Sequence, residues 1–576
     1  MSQDRFARLP REYPRSYVPA DFDVDDLDAL APLFDELLAR DIDTPEAVEA
    51  WLRDQGELLA VLLETRATRY IEMTCDTADP DHEKAFLGFM QKVMPELKKR
   101  GEKLDRHYLG SPARKDLPAE EFRVFDRSTE NDVALFREEN LPLETEETEL
   151  TQKYQKLCGA MTVEVDGEEV TLQQASKELL STDRARREDV FRKMADRRLA
   201  DADEVQEIFD GQLVLREKIA GNAGFDNYRD FRHQRMGRFD YTPDDCTRFH
   251  DAVETHVMPV IARLNRERRE RLGVETLRPW DLSVDTKGRD PLSPFSDTKD
   301  LIAGVSRIFH RLDPVLGGEF DNMRELDLLD LDSRKGKAPG GYQYGLSEAR
   351  LPFIFMNAVG LHGDVRTLLH EGGHAFHSMA SREQDLLAYR HAPMEFCEVA
   401  SMSMELLGAA HLDEFYDEAD AARAKKEMIS GAVEILPWVA TIDAFQHWIY
   451  THPGHSREER TQAWREIFAR FTVEVDYTGL DDVRDARWLS QSHVFQSPFY
   501  YIEYGIAQLG ALQVWTNARK DPAKALELYR EALALGGSRP LPELFEAAGT
   551  RFDFGPDTVG PLVEAVLTEL ETLGDA

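Results

Sequence analysis

Cysteine is scarce in this chain of 576 residues. Cys75, Cys158, Cys246 and Cys397 are widely scattered and form no C-x-x-C pair. That argues against a disulfide framework and for a reducing compartment. Long apolar runs are lacking too. No stretch of about 18 apolar residues occurs, and Met1-Ser-Gln-Asp-Arg-Phe6 carries no apolar leader core, so a soluble, cytoplasmic protein away from membranes is expected. Basic charge is in deficit, with 71 Lys and Arg against 109 Asp and Glu and a formal net charge of −38. This argues against nucleic acid as a partner, which demands basic patches. Acids lining a cleft would favour cationic peptides; the simpler reading is a solvated acidic surface suited to a salty cytoplasm. The Gly-rich run Gly340-Gly-Tyr-Gln-Tyr-Gly345 is not followed by G-K-[ST], so it is no phosphate-cradling P-loop. Internal repeats and low-complexity tracts are absent as well.

What the chain has in quantity is helical periodicity. Leu30, Leu33, Phe34, Leu37 and Leu38 recur at helix spacing, and Thr44-Pro45-Glu46 reads as a helix start. Trp51, Leu58, Leu59 and Leu62 continue the pattern. Met161 to Leu172 breaks it: Val163 and Val165 alternate with polar residues, Asp166-Gly167 suits a two-residue turn, and Val170 and Leu172 return on the same face, as in a hairpin. Helix resumes after Lys177, with many charges through Arg184, Arg186 and Arg187. Lys287 to Ser296, rich in Pro, Asp and Ser, reads as a surface loop. Pro352 to Asn357 is a short apolar run that reads as a strand. No flexible linker marks a boundary; the division near residue 195 separates a helical N-terminal region with a hairpin, 1–195, from a larger region, 196–576.

The chemistry concentrates in Thr367-Leu-Leu-His-Glu-Gly-Gly-His-Ala-Phe-His377. His370 and His374 stand at i and i+4, so on a helix they share a face and can share a tetrahedral Zn²⁺. Glu371 follows the first histidine directly, where a general base for an attacking water is needed. Asp364 is the candidate N-cap, and Val365, Leu368, Leu369, Phe376 and Met379 mark the apolar positions. Gly372 and Gly373 each cost about 1 kcal/mol relative to Ala inside a helix, which implies close approach by another backbone or by substrate. His377 is roughly 10 Å along the axis from His370 and cannot join the same ion.

A third ligand must come from another element. Met394 to Leu407 reads as a second helix carrying Glu395, Glu398 and Glu405 among apolar residues, and carboxylates in such a setting need a partner. Glu398 is the expected ligand, with Glu405, two turns later, placed to orient a histidine. Cys397 beside it reads as packing. Further on lies Ser490-Gln-Ser-His-Val-Phe-Gln-Ser-Pro-Phe-Tyr-Tyr-Ile-Glu-Tyr504. Pro498 can open a helix on which Tyr501 and Tyr504 project from one side. Phenols or an imidazole can serve as donors to an oxyanion; an aromatic core stripe has the same spacing.

Taken together, H-E-x-G-H-A-x-H, then E-V-A-S 24 residues after the second histidine, then H…P-F-Y-Y-I-E-Y, resemble the oligoendopeptidase F branch of the thimet-oligopeptidase family of zinc metallopeptidases. The resemblance runs from roughly Leu172 to the C-terminus and includes Arg334-Lys-Gly-Lys-Ala-Pro-Gly-Gly-Tyr342, Leu351 to Asn357 and Gly536-Gly-Ser-Arg-Pro540. It implies a mainly α, two-lobed peptidase with a deep central cleft and a small β-sheet beside the zinc helix, the region 196–576 being catalytic. It implies one Zn²⁺ per chain on His370, His374 and Glu398, and Glu371 as general base. His493, Tyr501 and Tyr504 match the region of substrate and transition-state contacts, with Tyr504 first among Tyr500, Tyr501 and Tyr504. It further implies that Gly340 to Gly345 is a mobile loop over the cleft, that the strand at Pro352–Asn357 is an edge pairing with substrate backbone, and that the substrates are short peptides. A metallocarboxypeptidase or dipeptidyl carboxypeptidase would use the same zinc helix, and a non-catalytic peptide-binding scaffold is the reading from another class. Oligomeric state is not encoded in these patterns.

Overall fold

The computed structural model describes residues 3–574. Helices dominate, and five strands among the described residues form two small sheets, giving the mainly α fold that the periodicity predicts. At the N-terminal end Asp26 caps Leu27–Ala39, which buries Leu30, Phe34 and Leu37. The Thr44 hydroxyl accepts from the Ala47 amide, and Pro45 opens the helix Pro45–Cys75. Trp51, Leu58 and Leu62 line its apolar face and pack with Phe89, Tyr108 and Phe122 in an N-terminal core. Each such side chain contributes about 2 kcal/mol by burial.

The predicted hairpin is present as β1 (Thr162–Val165) and β2 (Glu168–Thr171), with Val163 opposite Val170. Both turn residues, Asp166 and Gly167, take positive φ (54° and 84°), the geometry a twisted two-residue hairpin turn requires. Val163 of the hairpin, with Ala175 just after it, packs with Val190 and Met194 of the helix Arg184–Ala200. Residue 195 falls inside that helix, so the chain is continuous where a division was drawn. Arg187 on it is buried, its charge met by Asp281 at 2.9 Å.

The second sheet holds β3 (Leu329–Asp332), β4 (Tyr342–Leu346) and β5 (Leu351–Ala358) in the order β3-β5-β4. Two expectations are corrected here. The apolar run at Pro352–Asn357 is a central strand, parallel to β3 and antiparallel to β4; the edge strand beside it is β4. From Tyr342 onward the Gly-rich run is β4 itself and not an open loop. Burial along almost all of β5 explains its unbroken apolar sequence, but neighbour order is a long-range property that one run does not encode. Tyr342 and Tyr344 of β4 rest against Tyr70 of Pro45–Cys75, with ring centroids 5.4 and 5.7 Å away. The loop ahead of β4 is pinned by Lys337, whose Nζ lies 2.8 Å from Asp330 and 2.9 Å from the Asp332 carbonyl.

The main core gathers Leu9, Ala67 and Ile71 with buried residues from Tyr241 to Leu570. A second core joins Leu135 and Tyr154 to Phe231 and to Ile442–Phe499. The segment around Tyr501 touches both. Glu418–Thr451 is apolar enough over one window to cross a membrane by composition, yet 72% of that window is buried inside the protein, which marks a core helix pair.

Candidate active site

β5 leads through a short turn into the motif helix, His362–Ala380. Asp364 is not its N-cap. It stands two residues inside, and its Oδ2 accepts from the amides of Val359, Gly360 and Leu361 at 2.8 to 2.9 Å. The acid that reads as a cap in sequence thus satisfies the turn from within the helix. The two glycines are explained by contact. A Cβ at Gly372 would lie 2.5 Å from the Phe309 ring, and one at Gly373 would lie 2.6 Å from the Ala400 carbonyl oxygen. Ala400 belongs to the glutamate helix, Met394–Gly408, so Gly373 lets two backbones meet.

That approach delivers Glu398. Its Oε2 lies 3.5 Å from His370 Nε2 and 3.7 Å from His374 Nε2, and one donor atom from each of the three lies within 4.8 Å of the others. Two imidazole nitrogens and one carboxylate oxygen are a donor set of catalytic zinc, with a position left open, so these residues fit such an ion. Glu395, one turn earlier, is turned away and accepts from the Tyr241 hydroxyl at 2.7 Å. Glu405 Oε1 takes His370 Nδ1 at 2.6 Å, while its Oε2 takes Arg366 Nε at 2.5 Å. This fixes the His370 tautomer with Nε2 directed to Glu398. His377 packs edge-on against Phe396 with the ring centroids 5.8 Å apart.

The electrostatics of the site call for a cation. Burial pushes the Glu371 carboxyl up to about 7, with His370 and the Gln343 backbone of β4 pulling the other way. Burial likewise raises Glu398. For His370, burial opposes charging, but the hydrogen bond and charge of Glu405, with Glu398, win and raise it to about 9. His374 is held well below its ordinary value by burial and by His370. Buried carboxyls of this kind are costly when ionised alone, and a metal held by these residues would resolve the conflict by taking the place of the protons.

Around the tyrosines the structure differs from the simple reading of Pro498. The helix opens at Tyr501 and runs to Lys520; before it, Phe499 adopts φ 65°, a strained value for a bulky residue. The turn is clamped from both sides. The Phe499 amide donates to Gln446 Oε1 at 2.8 Å, and its carbonyl accepts from Arg238, which also meets Glu503 at 2.9 Å. The outcome is that the Tyr500 hydroxyl reaches Glu398 Oε1 at 3.4 Å. His493, Tyr500, Tyr501 and Tyr504 form one ring cluster, with centroid separations of 5.0 to 5.8 Å. Burial and the Glu398 charge raise the phenols of Tyr500 and Tyr504, so both remain donors. Tyr501 lies beside Trp438 instead.

A relay fixes His493. Trp438 Nε1, which can only donate, gives to Gln491 Oε1 at 2.9 Å. The Gln491 amide nitrogen therefore faces His493 Nδ1, at 2.8 Å, and donates to it. His493 must then carry its hydrogen on Nε2. Gln491, Gln446 and Arg238 were not singled out from sequence. Gln446 is one polar residue in an apolar helix, and Arg238 and Gln491 lie in connecting segments; such residues give no periodic signal, and only their partners reveal them.

A second group, His233, Cys246 and His447, also brings donor atoms within 4.8 Å. There Arg238 Nη1 lies 3.2 Å from His233 Nε2. A buried guanidinium occupies that lone pair and opposes a dication, so this group fits a metal poorly.

The profile of peptidase family M3 matches residues 179–557, and that of the M3 N-terminal domain matches residues 19–136. Oligopeptidase PepF of Bacillus subtilis is 22% identical over 299 residues, 51% of this chain and 43% of that protein. An oligoendopeptidase F homolog of Borreliella burgdorferi is 26% identical over 300 residues, 50% and 49% respectively. The chain thus spans about half the length of the curated relatives it matches. Solved structures agree over more of the chain. PZ peptidase A with an inhibitor has a TM-score of 0.89 at 29% identity, covering 97% of this chain and all of that one. A 3.1 Å structure provisionally described as an oligoendopeptidase F gives 0.89 at 30%, covering 98% and 100%. The match over most of the sequence, and the same fold end to end around the site, place this chain in peptidase family M3.

Proposed function

We propose that the chain is a zinc-dependent endopeptidase that hydrolyses short peptides, with one Zn²⁺ held by His370, His374 and Glu398. The observation that carries this reading is the meeting of three donor atoms within 4.8 Å beside a buried carboxyl, Glu371, with a cluster of phenols across the site. When bound, zinc supplies Lewis acidity, polarising the scissile carbonyl and making water easier to deprotonate. Glu371, lifted towards neutrality by burial, takes the proton of the attacking water and passes it to the leaving amine. Glu405 keeps His370 in register through Nδ1. Tyr504, with Tyr500 beside it, donates to the oxyanion, and His493 adds the Nε2–H that Gln491 fixes. Tyr501 supports the cluster by packing. β4, an edge strand whose Gln343 backbone reaches Glu371, offers its backbone to an extended peptide, the role the resemblance gives to the strand at Pro352–Asn357. Free cysteines throughout support a cytoplasmic setting.

The test is a digest of a mixed peptide library, half of it amidated at the C-terminus, with products read by mass spectrometry. Internal cleavage of amidated peptides, abolished by a chelator and restored by zinc, is expected. Cleavage restricted to the last one or two residues of free-acid peptides would replace this reading with a carboxypeptidase.

A further inference from the structure

A cavity of about 920 Å³ lies along the N-terminal part of the motif helix, lined by His362, Gly363 and Arg366. Arg366 stands one turn before His370, roughly 6 Å along the axis and on the same face. Its Nε is bound to Glu405, the residue that also holds His370. The lining also includes Trp438, the first member of the relay to His493. The cavity is therefore lined by one residue in contact with each half of the site. Its charge is contrary to that of the molecule. Nine lining side chains are Lys or Arg and five are Asp or Glu, in a chain of net charge −38. Acids in the lining are shared: Asp285 serves both Arg289 and Arg423. Arg366 lines the cavity, is half exposed and, among the described residues, pairs with Glu405 alone, through Nε. Arg268 spends Nη1 on backbone carbonyls of Asp281 and Val284. Arg487 lies over the Trp438 ring at 4.9 Å.

We propose that this cavity is an anion-reading subsite, in which Arg366, with Arg268 and Arg487, receives a carboxylate of the peptide a few residues from the scissile bond. This rests on the peptidase reading above and is the opposite of the cationic-peptide preference that acids lining a cleft would give. A planar guanidinium grips a carboxylate through two nitrogens, and a partly enclosed cationic wall strengthens the attraction. The carboxylate could be the C-terminus or an Asp or Glu side chain; both present the same group.

The test separates binding from catalysis. Labelled peptides are titrated by fluorescence anisotropy against the full-length, zinc-loaded Glu371→Gln protein. One pair differs in free acid against C-terminal amide, another in an internal Glu against Gln. The carboxylate form of at least one pair is expected to bind about tenfold tighter at low ionic strength, with the gap closing in salt; the pair that shows it names the source. Arg366→Gln should remove the preference, and Arg268→Gln, which does not touch Glu405, should weaken it at unchanged zinc content. Equal affinities within both pairs, or a preference indifferent to both substitutions, overturns the subsite. Hydrolysis of a neutral amidated peptide by the wild type reports separately on the peptidase reading.

Discussion

At the residue scale, spacing alone puts His370 and His374 on one face with Glu371 beside them, because i and i+4 need only helix geometry. The carboxylate on the second helix is harder, since Glu395, Glu398 and Glu405 all sit in apolar text. Their partners separate them: Tyr241 for Glu395, the two histidines for Glu398, and His370 Nδ1 with Arg366 for Glu405. The tyrosines were ordered by resemblance, and the geometry adds weight to Tyr500. Tyr504→Phe is expected to lower kcat by about 10²–10³ while sparing binding, as loss of one oxyanion donor does. Tyr501→Phe should leave kcat near that of wild type, because its phenol lies beside Trp438. Kinetics of the Tyr500, Tyr501 and Tyr504 variants at matched zinc content check the order; an unaffected Tyr504→Phe moves the role elsewhere. A second prediction concerns protons. Glu405 holds a charge on His370 up to about pH 9, and a ligand must shed its proton to coordinate. Zinc affinity should therefore rise with pH towards 9, with net proton release at pH 7 seen by calorimetry in buffers of different ionisation heat. In the metal-free protein the His370 contribution has the matching sign: it is present below 6.5 and lost as pH rises through about 9. Zinc binding without proton release would contradict the His370–Glu405 pairing.

Elements were legible where periodicity is strong and obscure where they depend on neighbours. The helix at Pro45 and the hairpin at Asp166-Gly167 follow from caps and turn residues alone. The position of β5 at the sheet centre does not, because pairing with β3 and β4 is decided at long range. Likewise, Pro498 looks like a helix start, but the turn at Phe499 intervenes, held by Gln446 from a distant helix and by Arg238 from a distant loop. Gly373 is the clearest case of an element-level constraint. Gly373→Ala places a methyl against a backbone carbonyl that cannot rotate away, so the motif and glutamate helices must separate. A loss of about 1–3 kcal/mol is expected, read as a lower Tm, together with weaker zinc binding as Glu398 withdraws. A variant of wild-type stability and zinc affinity would show that the helices are not locked at this crossing.

For the whole molecule, a net charge of −38 produces self-repulsion that salt screens. The Tm is expected to rise between low salt and about 1 M KCl; a fall would mean that the many surface ion pairs outweigh the repulsion. Composition alone conveys this acidity but not its distribution, and the basic cavity beside Arg366 is visible only once remote segments are folded together. The central claim, that the two histidines and Glu398 hold zinc while Glu371 moves the proton, is tested most directly by one comparison. Zinc content and peptide hydrolysis are measured for the wild type and for Glu371→Gln prepared identically. The expected result is about one zinc per chain in both proteins, with hydrolysis in the wild type and nearly none in the variant. Full activity in Glu371→Gln, or a wild type that hydrolyses peptides without metal, would contradict it.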